Sequence, residues 1–192
     1  MRLAAVEHGH SRRAGLLLRT VRLLSGENMD DVVRTALHRP EFWGRPFLAV
    51  LHAVMRGPSF WTPAEREHMA VVVSRLNECP FCDRVHTETT RIEAGGQVEG
   101  AALRPELVAV LPLIEKLTAS PGSVTADDVA PVRAAGVPDD AVVDALHVVL
   151  IFSTVNRLAN ALGWGWDSDR HVQVAAQAIH RLRYKLPGFV LR

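Results

Sequence analysis

Proline, glycine and helix-capping residues divide this chain into a succession of helix-length segments, and no stretch alternates apolar and polar residues long enough for a strand. The best marked start is Thr62-Pro63-Ala64-Glu65, where a threonine three residues before a glutamate has capping-box spacing and proline suits the first helical position. The helix it opens is apolar at Met69, Val72, Val73 and Leu76 and carries small side chains at Ala70, Val71 and Ser74. Asn77 is expected to end it in the left-handed conformation. Pro80 then denies helical geometry to Cys79 and opens the next helix, over 80–94, which Gly95-Gly96 stops.

Upstream, Leu16, Leu17, Leu18, Val21, Leu23 and Leu24 form an apolar segment closed by Gly26. Arg12, Arg13, Arg19 and Arg22 decorate it and read as a solvated face. Helices over 29–38 and 41–56 follow, ended by Pro40 and by Gly57-Pro58. Downstream come helices over 104–119, from Thr125 with Asp128 to Gly136, from Pro138 to Leu162, and over 169–184 before Pro187. The expected fold class is all-α: a helical bundle over residues 40–192 with an N-terminal helical extension over residues 1–39.

With 192 residues, 48% of them apolar, the chain can bury a core without disulfides or a structural metal. Lys and Arg total 22 against 21 Asp and Glu, a net charge of +1, so no general attraction to nucleic acid or to an anionic membrane is expected. Residues 1–13 lack the apolar core of a signal peptide, and no apolar run is longer than that from Val148 to Phe152, far below the ~20 residues of a membrane span. A cytoplasmic protein in a reducing compartment is expected. Nothing supports nucleotide binding, because no glycine-rich loop follows a strand, and no tightly bound cofactor is expected.

The two cysteines, Cys79 and Cys82, stand three positions apart. A bridge between them closes too small a loop to stabilise the fold much, so the pair points to reactivity or to a metal. At the start of a helix both sulfurs feel unpaired amides and the positive end of the dipole, which favour thiolate. His86, four residues after Cys82, returns to the same face and is a base for a thiol proton. Glu67, on the preceding helix, swings over the pair if the two helices are antiparallel. Apolar surroundings would there make it harder to ionise and a better proton acceptor, able to polarise His86. Two other readings stay open. Glu67 is a surface residue paired with Arg66 or Arg75, or Glu67, Cys79, Cys82 and His86 ligate zinc.

Glu67-x11-Cys79-x2-Cys82-x3-His86 in an all-helical chain resembles the alkylhydroperoxidase D-like branch of the carboxymuconolactone decarboxylase superfamily. Residues 62–67 look like that family's approach to the motif, and Val155-Asn156-Arg157-Leu158-Ala159 is similar to its peroxidase-related subgroup. The resemblance spans about residues 40–164. It implies an all-α fold assembling as a homo-oligomer, a trimer or hexamer, with thiol-dependent peroxidase or disulfide oxidoreductase activity on hydroperoxides. It also implies an external dithiol electron donor, a dihydrolipoyl group in the best understood members. Carried across residue by residue, the catalytic dithiol is Cys79 and Cys82 and the proton relay is His86 and Glu67. Some members carry a His between the cysteines; this chain has Pro80-Phe81 there, one titratable group fewer.

On this reading one cysteine forms a sulfenic acid, the other condenses with it, and Cys79 is the more exposed sulfur. Two alternatives remain: a decarboxylase-like enzyme using Glu67 and His86 on a small carboxylated substrate, and a non-enzymatic redox-sensing or zinc-binding oligomer. Among other residues, His147 is expected in the core, and His52 and His68 near the pocket. Asn156 and Arg157 are expected in structural bonds, and Trp43, Trp61, Trp164 and Trp166 in the core or a subunit interface.

Overall fold

The computed structural model describes residues 2–96 and 103–186. Among them are ten α-helices and no strand: α1 (Ala4–His8), α2 (Arg12–Ser25), α3 (Asp31–His38), α4 (Leu48–Arg56), α5 (Pro63–Leu76), α6 (Pro80–Glu93), α7 (Pro105–Ala119), α8 (Ala126–Ala134), α9 (Asp139–Leu162) and α10 (Asp169–Leu182). The all-α expectation holds, and most of the anticipated boundaries fall within a few residues. Pro187, expected after the last helix, lies outside the described residues.

The capping box of α5 forms as its spacing predicts. The Glu65 amide donates to the Thr62 hydroxyl (3.2 Å) and the Thr62 amide to the Glu65 carboxylate (2.8 Å). The same carboxylate accepts two bonds from Arg104, which ties the start of α7 to the start of α5. α5 and α6, joined by only three residues, form an antiparallel hairpin and the most extensive helix pair of the fold. α9 packs across α5, and Met55, Met69, Val73, Val110, Ile114, Val148 and Phe152 are fully buried between α4, α5, α7 and α9. Trp61 is buried ahead of α5 and donates its indole N–H to the Ala141 carbonyl (2.7 Å). By length and composition α9 is apolar enough to cross a membrane, but half of that stretch is buried inside the bundle as its central helix.

One helix departs from expectation. The segment over 41–56 divides into a π-helical stretch (Pro40–Phe47) and α4. Pro46 lies inside it and has no amide to return to the carbonyl four residues back, and a wider turn accommodates that gap. The amides of Phe42, Trp43 and Gly44 all converge on the Arg39 carbonyl.

The N-terminal helices are fastened to the bundle. The Arg2 amide donates to the Leu162 carbonyl (2.6 Å), and its guanidinium caps the Asn160 and Ala161 carbonyls, where the α9 dipole favours a cation. The Asp31 carboxylate accepts from the Gly165 amide (3.1 Å), and Ala14 and Leu37 pack with Leu48 and Leu186. On α2 only Ala14 is buried, whereas Leu23 and Leu24 are 85% and 84% exposed; the apolar segment read from the sequence is largely bare in this chain.

Replacing Thr62 by Ala removes the side-chain half of the capping box. It should lower stability by about 1 kcal/mol, read as a lower denaturant midpoint with unchanged slope.

Candidate active site

Cys79 belongs to two helices at once. Its amide donates to the Ser74 carbonyl (2.9 Å), closing α5, and its carbonyl accepts from the Asp83 amide (3.0 Å), opening α6. With the Glu78 amide on the Arg75 carbonyl, this is a Schellman closure. The left-handed residue is Glu78 (φ 50°), not Asn77 (φ −86°) as the sequence suggested. Pro80 accounts for the shift. It keeps Cys79 out of the helical region (φ −106°, ψ 88°), so the reversal has to finish on the residue before it.

Both thiols are free, and each residue is 1% exposed. Hydrogen bonding by the Cys82 thiol does most to stabilise a thiolate on Cys79. Burial opposes it, and the Cys82 and Phe81 amides of the first helical turn add to it without closing a full cap, bringing Cys79 down to about 7. Cys82 is pushed well above its ordinary range by donating to Cys79 and by its own burial. The pair therefore loses its first proton near 7 and keeps the second, which is shared between the two sulfurs. By accessible surface the two residues are equally buried; Cys79, expected to be the more exposed, lies in the less densely packed surroundings, and Cys82 lines a cavity.

That cavity, ≈ 260 Å³, is lined almost entirely by apolar side chains. Cys82, His86 and Phe152 form one wall. Val32 and Met29 from around α3, Leu48 and Leu51 from α4, and Ile179 and Tyr184 from α10 and the arm beyond it complete it. Phe81, in the gap between the cysteines, stacks on Trp166 (4.3 Å between centroids) and accepts that indole's N–H at its carbonyl (2.9 Å).

Behind the cavity wall is a charged cluster. Nδ1 of His86 donates to Oε2 of Glu67 (2.6 Å). The other oxygen, Oε1, accepts from the Arg56 guanidinium and from the Tyr184 hydroxyl, each at 2.7 Å. Arg56 also pairs with Glu93 (2.9 Å), which in turn faces His180 (3.2 Å). Burial alone would raise the Glu67 carboxyl, but the charge and hydrogen bond of His86, the charge of Arg56 and the Tyr184 hydroxyl outweigh it. Glu67 ends below its ordinary value of 4.5. This corrects the expectation of a carboxyl that is hard to ionise: desolvation acts as anticipated, and the buried arginine and the imidazole reverse it. Glu67 is also no surface residue, since Arg66 spends its guanidinium on the Val54 and Gly57 carbonyls and Arg75 pairs with Asp83. An ionised Glu67 has no hydrogen to give, so Nδ1 of His86 carries the proton in this bond. No group of three or more His, Cys, Asp or Glu side chains converges on a metal position among the described residues.

The structure thus brings Cys82, His86 and Glu67 to one wall and its backing, with Cys79 hydrogen-bonded to Cys82. Neither Arg56 nor Tyr184 is signalled by the sequence. Tyr184 is the chain's single tyrosine, 117 positions from Glu67, and no local spacing announces it. His147 is exposed rather than in the core, Arg157 is exposed, and Asn156 is fully buried beside Ser74 (3.3 Å). His52 and His68 are half-buried and off the cavity wall, although His52 donates to the Arg183 carbonyl (2.7 Å) next to Tyr184. Trp61 and Trp164 are core residues, and Trp166 lines the cavity.

The fold that carries this site is an all-helical bundle. Two solved structures share it. One is an uncharacterized peroxidase-related protein from Silicibacter sp. TM1040, 24% identical, with a TM-score of 0.71 over 84% of this chain and 88% of that one. The other, described as an alkylhydroperoxidase AhpD core, is an uncharacterized peroxidase-related protein from Ralstonia eutropha JMP134. It is also 24% identical, with a TM-score of 0.67 over 85% of this chain and 90% of that one. No protein-family profile matches the sequence, and no curated protein matches it. At this identity the likeness establishes the fold.

Two outcomes test the electrostatics. Arg56→Met leaves Glu67 buried without its cation and should cost roughly 3–5 kcal/mol of stability at neutral pH. Since the folded Glu67 carboxyl lies below its ordinary value, its contribution is full above about pH 4.5 and is lost as acid protonates the folded form. Wild-type protein should therefore resist acid to a lower pH than Arg56→Met. In the reduced protein, ultraviolet thiolate absorbance should rise with a midpoint near 7 and the amplitude of a single thiolate, and Cys79→Ser should abolish that step.

Proposed function

We propose that this chain is a thiol-dependent peroxidase that reduces organic hydroperoxides through the Cys79–Cys82 pair and is restored by an external dithiol. The observation that carries this reading is the wall shared by Cys82 and His86 on an apolar cavity, with Glu67 ionised behind the imidazole. A thiol held up by burial and by its neighbour's charge does not ionise unaided at neutral pH. His86 is the base that takes its proton.

The Cys82 thiolate attacks the terminal oxygen of the hydroperoxide. The S–O bond forms, the O–O bond breaks, and the leaving alkoxide takes the proton held on His86 and departs as the alcohol. Cys82 is then a sulfenic acid. The Cys79 thiolate attacks that sulfur, the S–S bond forms, and hydroxide leaves and is protonated by solvent to water. Two thiol electrons per sulfur pair have reduced one peroxide. A dithiol donor then attacks the disulfide, passes through a mixed disulfide and leaves oxidised. The apolar cavity favours a hydroperoxide carrying a hydrocarbon group over hydrogen peroxide. We take the working form to be a homo-oligomer, which the bare Val143 and Leu150 on α9 support.

Stopped-flow consumption of cumene hydroperoxide by the reduced protein, with mass spectrometry of the product, tests this. One equivalent should give an intramolecular disulfide. Cys82→Ser should abolish turnover, Cys79→Ser should stop it after the sulfenic acid, and His86→Ala should slow it by roughly a hundredfold or more. Undiminished consumption by both serine variants would remove the dithiol from the chemistry.

A further inference from the structure

Glu67 is braced asymmetrically. Oε2 serves only His86, whereas Oε1 carries both the Arg56 guanidinium and the Tyr184 hydroxyl. The tyrosine reaches this spot by a constrained path. Arg183 and Tyr184 are consecutive left-handed residues (φ 52° and 63°), a backbone form that side-chain-bearing residues seldom adopt. Two contacts hold them there, both to α4. His52 donates to the Arg183 carbonyl (2.7 Å), and the Arg183 guanidinium donates to the Arg56 carbonyl (3.1 Å). The Arg56 guanidinium then lies over the Tyr184 ring, 4.9 Å from its centroid. One turn of α4 thus supplies both the cation on Glu67 and the anchor for the arm that delivers the tyrosine.

We propose that Tyr184 is a positioning residue for the His86 base, loading Oε1 of Glu67 so that Oε2 faces Nδ1 and holds the imidazolium firmly enough to form but loosely enough to release its proton. This rests on the peroxidase reading for the use of that proton, but not for the geometry. Tyr184 suits the task as a permanent donor, because burial first, and then the charge of Glu67, keep its hydroxyl protonated far into alkali. Its oxygen lies 3.5 Å from Nδ1, well beyond the 2.6 Å at which Oε2 of Glu67 accepts that proton. The charged and titratable groups around His86 are Glu67 from α5, Tyr184 from the arm after α10, Cys82 on its own helix, and Arg56 from α4 acting through Glu67, while Asp30 ahead of α3 and Lys185 of the arm line the same cavity. Glu93 and His180 lie beyond Arg56, and Phe152 of α9 sets only a ring edge against the imidazole (4.6 Å).

Tyr184→Phe keeps the ring under Arg56 and deletes only the donor. With its second load gone, Glu67 pulls harder on Nδ1–H. The low-field proton resonance of that short hydrogen bond should move further downfield in the reduced, substrate-free protein. The acid limb of hydroperoxide consumption should move up by roughly half a unit to one unit. In a Glu67→Gln background the same substitution should move neither signal, because the carboxylate through which Tyr184 acts is absent. An unmoved resonance in the single variant, or an equal shift in the Glu67→Gln background, overturns the proposal. The resonance is read without turnover, so a protein that fails to consume hydroperoxide yet shows the downfield shift would sink the peroxidase reading and leave the role of Tyr184 standing.

Discussion

A carboxylate with no exposed surface persists as an anion only where the protein itself supplies what water would have given it. Here the supply is Arg56, itself buried, whose guanidinium reaches Glu67 at 2.7 Å and Glu93 at 2.9 Å. An isolated ion at such depth is strongly penalised, and the penalty is offset only when each lone pair and each donor finds a partner. Three helices and the arm after α10 have to converge for that to happen: α4 brings the cation, α5 the anion, α6 the imidazole and the arm the hydroxyl. The chemistry at the cavity wall inherits its order from this buried pair. Once Glu67 is fixed as an anion, Nδ1 of His86 must carry the proton between them.

The thiol pair obeys a different constraint, that of a chain reversing direction in three residues. Because Cys79 completes one helix with its amide and begins the next with its carbonyl, its sulfur cannot slide along either axis. The Cys82 thiol does most to lower it, and the amides of the α6 first turn, aimed by the helix, add to that. Cys79 is the more acidic of the two, while Cys82 holds its hydrogen more tightly and borders the cavity.

How much of this the sequence discloses depends on the range of each interaction. Thr62 with Glu65, Pro80 after Cys79, and Gly163 after Leu162 act within a turn of themselves, and the helices they delimit are legible from the letters alone. His86 and the cysteines are legible for the same reason, since four residues along a helix is a fixed direction. The ionisation of Glu67 is not, because Arg56 lies on another helix with a pairing that no periodicity encodes. His147 illustrates a separate failure. α9 is apolar on nearly every side, so the phase of its hydrophobic residues does not say which side faces inward. The bare edge turns out to contain Val143, His147, Leu150 and Thr154. The π-helical start of the third segment escaped because a single proline, Pro46, acts on its widening and not on its existence.

Tyr184 and the cysteines are separated by about half of the chain's length, and α2 and α3 contribute Val21, Val32 and Val33 to the same cavity. During synthesis the helix hairpin bearing the thiols emerges long before the arm that closes over them. Until that arm docks, the cavity lacks one of its walls and Glu67 one of its donors. A newly made chain therefore passes through a period in which its two thiols are present but uncovered.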